Sequence, residues 1–138
     1  MKRAVLWDSS AVVALLDADD ARHADACTVA ERLVADGAPG FMTNFIEAET
    51  HALLLRKLGR GAALQWLLAR QLPIVRSSPA DEERARAILV RHADKDWSLC
   101  DAVSFAVMDA RRVTTAFSFD RHFRQYGRFR VFGLDATT

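Results

Sequence analysis

Four acidic residues follow short apolar segments at points where the chain changes to a helical pattern: Asp8, Glu47, Asp101 and Asp120. In a parallel α/β sheet such junctions share one edge, outside the carboxyl ends of the strands, where ligands bind. Four carboxylates at one edge repel one another unless a cation lies between them, and Mg²⁺ and Mn²⁺ prefer oxygen ligands. Such an ion activates a bound water and stabilises charge on a phosphoryl oxygen. The pattern therefore predicts a metal site suited to phosphate-ester chemistry.

The apolar pattern also predicts the elements that position these acids. Short apolar runs typical of buried strands cover residues 3–7, 40–43, 73–75, 114–119 and 129–132. Helical spacing is found between them, at residues 11–16, 22–36, 44–58, 62–70, 79–93, 99–111 and 120–125. Strands that alternate with helices favour an α/β fold, with helices on both faces of a central, mostly parallel sheet of four to five strands.

The composition is typical of a soluble protein and does not by itself indicate a function. The 138 residues suit a single domain, 1–138, and the net charge of +1 gives no general attraction to nucleic acid or membrane. The longest apolar run, residues 11–16, is too short to span a bilayer, so no membrane association is expected. The two cysteines form no metal-binding pattern and suit a reducing cytoplasm.

Helix capping is an alternative explanation for some of the acids. Glu47 follows Asn44 by three residues and Asp101 follows Ser98 by three, as in a capping box. Asp81 has the same spacing from a serine, and we assign it no chemistry. Capping explains each position separately, but it does not explain why all the strand-end acids fall at one predicted edge. The two roles are compatible, because a helix N-terminus favours an ionised carboxylate.

The acids lie in four segments: VLWDSSAVVAL at 5–15, NFIEAE at 44–49, LCDAVSFAVM at 99–108 and AFSFDRHF at 116–123. In this order the segments resemble the four sequence blocks of the PIN-domain ribonucleases, and in particular the VapC-type toxins of toxin–antitoxin modules. The resemblance implies a PIN-like three-layer α/β/α fold. It also implies Mg²⁺- or Mn²⁺-dependent endonucleolytic cleavage of RNA by a metal-activated water.

The resemblance further implies roles for particular residues and for partners. The family's acidic, metal-ligating and catalytic quartet matches Asp8, Glu47, Asp101 and Asp120. Polar positions that support the metal site match Ser9, Asn44 and Ser118. Similar toxins form homodimers, and each is neutralised by a cognate antitoxin whose tail occupies the active-site groove.

Several charged residues have a weaker claim on the site. Glu49 lies two positions after Glu47 and so points to a different side of the helix, which favours a surface or interface charge. Late arginines form either a solvated face or an RNA rim that contacts phosphates, with Arg112, Arg121 and Arg124 as the candidates. The pattern assigns no role to His51 or His122.

Two other functions stay open on the sequence. One is a non-catalytic PIN-like module that binds RNA or protein, which the complete acidic quartet disfavours. The other is a phosphatase of the haloacid-dehalogenase type, which usually carries a second aspartate two residues after the first. Ser10 occupies that position here, so this alternative is weak.

Overall fold

Five strands and seven helices alternate along residues 3–133, the part of the chain that the computed structural model describes. The strands are β1 (Val5–Trp7), β2 (Gly40–Thr43), β3 (Ile74–Val75), β4 (Thr115–Ser118) and β5 (Arg130–Gly133). The helices are α1 (Ser9–Leu16), α2 (His23–Ala35), α3 (Asn44–Leu58), α4 (Arg60–Ala69), α5 (Pro79–Arg91), α6 (Leu99–Arg111) and α7 (His122–Tyr126). None of these seven helices has the length and hydropathy that a membrane span requires.

The strands form one all-parallel sheet in the order β3-β2-β1-β4-β5. The chain moves from the central β1 outward to β2 and β3, and then returns to the other side of β1 to form β4 and β5. The direction of winding therefore changes between β1 and β4, where Leu6 pairs with Ala116. In open α/β sheets, ligands bind outside the carboxyl ends of the strands at such a switch point. The predicted α/β class and parallel sheet are confirmed.

Helices cover both faces of the sheet because alternate residues of each strand point in opposite directions. One hydrophobic cluster joins residues of α5, α6 and α7 to the strand residues Leu6, Ala116 and Val131. The cluster on the other face joins residues of α1 and α2 to Val5, Phe117 and Phe132. Helix α6 is buried without interruption from Asp101 to Met108, so it forms the centre of the first layer. This packing fixes the first turn of α6 against the carboxyl edge of the sheet.

Two of the predicted helix starts have the expected geometry. In α6, the Ser98 hydroxyl accepts from the Asp101 amide and the Asp101 carboxylate accepts from the Ser98 amide, each at 3.0 Å. Ser78 and Asp81 form the same reciprocal capping box at the start of α5. Capping is therefore a confirmed role of Asp101, and it holds this carboxylate in a fixed orientation.

Helix α3 has the predicted bounds but a different cap. Its N-cap is Thr43, whose hydroxyl accepts a 3.1 Å hydrogen bond from the Ile46 amide. Asn44 is therefore the first residue of the helix, and its side chain instead accepts a 2.8 Å bond from the Ser77 amide in the loop before α5. The predicted capping box between Asn44 and Glu47 is wrong, because the helix starts one residue earlier than that pairing requires.

Candidate metal centre

The carboxyl edge of the sheet brings together three of the four predicted acids. The Ser118 hydroxyl, at the end of β4, donates to the Asp8 carboxylate at 2.8 Å and accepts from the Asp120 amide at 3.0 Å. The His122 ring nitrogen Nδ1 lies 2.8 Å from Asp101 Oδ2 and 3.2 Å from Asp120 Oδ1. Residues from β1, β4 and α6 thus meet at the switch point of the sheet.

Asp8 is buried in this cluster, and no lysine or arginine of residues 3–133 forms an ion pair with it. It is 3% exposed, and although it occupies the N-cap position of α1, its side chain makes no capping bond. Its Oδ2 atom accepts from the hydroxyls of Ser10 and Ser118, both at 2.8 Å. Burial raises the pKa of Asp8 to about 7; the two hydroxyls oppose this rise, while the negative charges of Asp101 and Glu49 add to it. Capping therefore does not account for Asp8.

Each of the three aspartates keeps one oxygen clear of protein donors. Within residues 3–133, the hydrogen bonds to Asp8 all go to Oδ2, and those to Asp101, from the Ser98 amide and from His122 Nδ1, also go to Oδ2. Asp120 uses only Oδ1, which accepts from the backbone amide of His122 at 3.0 Å and faces its ring nitrogen. The second oxygen of each carboxylate is thus available to a ligand.

Glu49, and not Glu47, joins the cluster. The Ser9 hydroxyl at the start of α1 donates to the Glu49 carboxylate. Through its negative charge, Glu49 also raises the pKa of Asp8 and the pKa of the Cys100 thiol beside Asp101. The predicted support role of Ser9 thus takes the form of a bond to an acid that the sequence analysis assigned to the surface.

Glu47 lies on another side of α3. It lines a separate, largely apolar cavity of about 610 Å³, together with Trp7 and Trp66. The structure therefore does not bring Glu47 to the predicted quartet. The physical reason is the helical period: two residues along a helix turn the side chain through about 200°.

Three contributors to the cluster were missed by the sequence reasoning: Glu49, Ser10 and His122. Ser10 has a local signal, because a hydroxyl two residues after an aspartate is well placed to donate to it. His122 lies within a family-like segment, but its spacing does not reveal that its ring reaches Asp101 on another helix. Glu49 and Glu47 flank opposite sides of the buried stripe Ile46, Thr50 and Leu54, so periodicity alone does not choose between them.

Cys100 is not a thiolate ligand. Burial, followed by the negative charges of Glu49, Asp8 and Asp101, raises the pKa of its thiol far above the ordinary value. The thiol therefore stays protonated, and the available ligands of the site are carboxylate oxygens and one imidazole.

The donor set fits a hard divalent cation such as Mg²⁺ or Mn²⁺. Ligand atoms of Asp101, Asp120 and His122 lie within 4.8 Å of one another. No lysine or arginine within residues 3–133 forms an ion pair with these two carboxylates or with Asp8. A cation among the free oxygens would neutralise the charge that the protein leaves unpaired, and carboxylate oxygens are the usual ligands of these ions.

The predicted arginine rim is only partly at this edge. Arg112 is the C-cap of α6, whose first turn carries Asp101, so it lies about 16 Å away along the helix axis, where β4 begins. The helix thus returns the chain to the opposite edge of the sheet, and a contact of Arg112 with RNA stays a prediction. Arg121 directly follows Asp120, and Arg124 lies on α7. The contact of these two arginines with RNA phosphates stays a prediction.

A cavity of about 500 Å³ opens from the acids onto a different set of basic residues. Asp8, Glu49 and Asp120 line one part of it. The basic residues along the rest of the cavity are Arg22, Arg56 and Lys57. A ligand in this cavity would contact the metal centre and a positively charged wall at the same time.

Two solved structures from other bacteria show the same fold. VapC20 from Mycobacterium tuberculosis, described as a sarcin–ricin loop cleaving toxin, superposes with a TM-score of 0.80 at 33% identity, over 91% of this chain and 96% of that one. FitAcB from Neisseria gonorrhoeae has a TM-score of 0.65 at 16% identity, over 93% of this chain and 96% of that one, which shows a shared fold.

Sequence comparison agrees with the structural similarity. The chain is 40% identical over 127 residues to the 23S rRNA-specific endonuclease VapC20 of M. tuberculosis, a match that covers 89% of this chain and 94% of that protein. The sequence profile of the PIN domain matches residues 5–129. The acids at the switch point thus lie in the fold and sequence context of that profile, and the chain belongs to the PIN-domain family.

Proposed function

We propose that this protein is a metal-dependent endoribonuclease and the toxin of a VapBC-type toxin–antitoxin module. The observation that carries the proposal is the burial of the Asp8 carboxylate at the switch point, next to other carboxylates and without an ion pair to any lysine or arginine of residues 3–133. The 40% identity to an endonuclease supports the same activity. The PIN-like fold alone would be compatible with a non-catalytic binding module, but such a module has no need of a buried, unneutralised carboxylate.

The residues of the cluster divide into ligands and supports. Asp8, Asp101, Asp120 and Glu49 would hold a Mg²⁺ or Mn²⁺ ion. When bound, this ion supplies an activated water and stabilises charge on the phosphoryl oxygen. Ser10 and Ser118 fix one oxygen of Asp8, while His122 fixes one oxygen each of Asp101 and Asp120. Preorganised carboxylates lose less orientational freedom when they take up the ion.

The proposed substrate is 23S ribosomal RNA. The relative with 40% identity is named for this specificity, and the superposed VapC20 is described as cleaving the sarcin–ricin loop. The match to that relative covers 89% of this chain, which supports a similar substrate for the whole domain. The phosphodiester bond would be cut within the loop of a structured RNA, where the backbone is accessible.

Two protein partners belong to the proposal. A cognate antitoxin would bind the toxin and cover the active-site groove, and two copies of the chain would form a homodimer that acts in the cytoplasm. We take residues 1–138 as one domain in each copy. Size-exclusion chromatography with light scattering should give a mass of twice 15.4 kDa for the toxin alone. Co-expression with a cognate antitoxin should restore growth to cells that express the toxin.

The nuclease activity is tested on purified ribosomes. We expect cleavage of 23S rRNA at one position in the presence of Mg²⁺ or Mn²⁺, no cleavage in EDTA, and a loss of at least about a hundredfold in Asp8→Asn and Asp101→Asn, because each removes a metal ligand. Primer extension locates the cut. Tight RNA binding without cleavage under either metal would instead establish the non-catalytic binding module.

A further inference from the structure

One side of α3 connects the acids of the candidate metal centre to a group of basic residues. Along α3, four residues recur at positions i, i+3, i+4 and i+7 and all line the cavity of about 500 Å³: Glu49, Ala52, Leu53 and Arg56. Residues with this spacing form a single stripe on one side of a helix. One stripe therefore runs from the acid of the metal centre to an exposed arginine about 10 Å further along the axis.

Two more cations stand beside Arg56. Lys57 follows it on α3 and lies 3.9 Å from Asp20 in the turn between α1 and α2. Arg22 lies in the same turn. Its guanidinium packs over the ring of Phe119, 5.7 Å from the ring centroid, and Phe119 directly precedes Asp120 in the chain. Arg56 forms no ion pair within residues 3–133, and the side chain of Lys57 is 46% exposed, so both charges face the cavity or solvent.

We propose that Arg56, Lys57 and Arg22 bind the backbone phosphates of the RNA on one side of the scissile bond. The inference rests on the proposed nuclease function. It further specifies the side of the metal centre along which the RNA strand runs. The reason is electrostatic: four carboxylates at the centre repel a polyanion, so an RNA strand needs fixed cations close by. The cavity supplies three of them in continuity with Asp8 and Asp120, and its middle is formed by the small and apolar side chains of Ala52 and Leu53.

The test measures RNA binding separately from cleavage. Asp8→Asn serves as a cleavage-deficient background, and the probe is a fluorescent RNA stem-loop with the sarcin–ricin sequence. Adding Arg56→Ala and Lys57→Ala should weaken binding about tenfold at low salt and reduce the slope of log K against log salt by roughly 1.4, since each phosphate contact on a single strand contributes about 0.7. Arg56→Lys should retain most of the binding, because it keeps the charge.

A matched control removes two positive charges elsewhere. Arg86 and Arg91 are exposed on α5, which contributes no residue to this cavity. Arg86→Ala with Arg91→Ala should leave both the affinity and the salt slope close to those of the background. An equal loss in this control would overturn the proposal, because it would show that net charge alone governs binding.

The remaining outcomes separate this inference from the proposed function. If the wild-type protein cleaves 23S rRNA but the α3 double variant binds RNA like its background, the proposed RNA surface is wrong and the nuclease stands. If the double variant instead loses binding to the acidic segment of an antitoxin and keeps binding to RNA, the surface serves a protein partner and the inference is also overturned. If the wild-type protein cleaves no RNA with either metal, the nuclease proposal itself fails.

Discussion

Asp8 is the residue whose environment says most about function. Its carboxylate is buried, and its pKa is raised from an ordinary 3.8 to about 7, chiefly by burial. A carboxylate with a raised native pKa binds protons more readily in the folded than in the unfolded protein. In metal-free buffer, protonated Asp8 therefore contributes to the free energy of unfolding. This contribution is fully present below pH 4, decreases as the pH rises towards 7, and is lost above pH 7. The full loss is roughly 4 kcal/mol, at 1.36 kcal/mol per pKa unit.

The substitution Asp8→Asn should remove this penalty. An asparagine oxygen still accepts from Ser10 and Ser118, while the buried charge is gone. In EDTA at pH 8 we expect the variant to be more stable than the wild type by about 1–3 kcal/mol, with little change between pH 5 and 8. Urea unfolding at several pH values measures both quantities. A less stable variant at pH 8 would mean that the ionised carboxylate is itself stabilising.

His122 orients two carboxylates from different elements. Its ring nitrogen Nδ1 faces Asp101 on α6 and Asp120 after β4, so loss of the ring removes one partner from each carboxylate. We predict that His122→Ala weakens Mn²⁺ binding about 10- to 100-fold, the usual effect of losing a group that orients metal ligands. His122→Asn should recover most of the affinity, because its amide donor lies close to the position of Nδ1. Isothermal titration with Mn²⁺ makes the comparison, and equal affinity in all three proteins would contradict an orienting role.

At the scale of the element, the rotation of α3 about its own axis decides which of its two glutamates faces the metal centre. Glu49 contacts Ser9 and the acidic cluster, whereas Glu47 lines the apolar cavity on another side of the helix. Both are glutamates in the first two turns, so the pair forms a matched test of position.

Glu49→Gln should reduce RNA cleavage by at least about a hundredfold and weaken Mn²⁺ binding, because it removes a charge from the metal cluster. Glu47→Gln should leave both within about twofold of the wild type, since surface substitutions away from a site have small effects. Single-turnover cleavage assays and metal titration compare the two. The reverse result would return Glu47 to the position that the sequence analysis gave it.

The helix N-termini show how much structure can be predicted from a few neighbouring residues. The capping boxes at Ser98 and Ser78 follow from side chains three residues apart and are confirmed. The cap of α3 was misassigned, because Thr43 and Asn44 are both good caps and only the observed bond from the Ile46 amide distinguishes them. The predicted bounds of the helix are unaffected, since both assignments leave residues 44–58 helical.

For the whole molecule, the metal should link function to stability. Four carboxylates from different parts of the chain converge only in the folded state, so an ion bound there stabilises that state. At a concentration of 100 times its Kd, Mn²⁺ should raise the free energy of unfolding by about 2.7 kcal/mol. Thermal unfolding with and without Mn²⁺ at pH 8 measures the effect, and Asp101→Asn should largely abolish it. Equal stabilisation of the variant would place the ion elsewhere.

The sequence by itself determined the fold class and the edge at which the site would lie. Short apolar runs alternate with helical segments, and Asp8 and Asp120 follow two of these runs. These are local properties of a few consecutive residues, so both aspartates could be placed at the carboxyl edge without coordinates, whereas Asp101 follows another helix and reaches the edge through the packing of α6.

Only the tertiary structure decided which remaining side chains reach that edge. The sequence could not choose Glu49 over Glu47, because both flank the buried stripe of α3 and packing against α1 sets which one faces Ser9. It could not place Arg112 either, since a position at the far edge follows from the length and direction of α6. Contacts between distant segments depend on how helices pack on the sheet, and that information is distributed over the whole core.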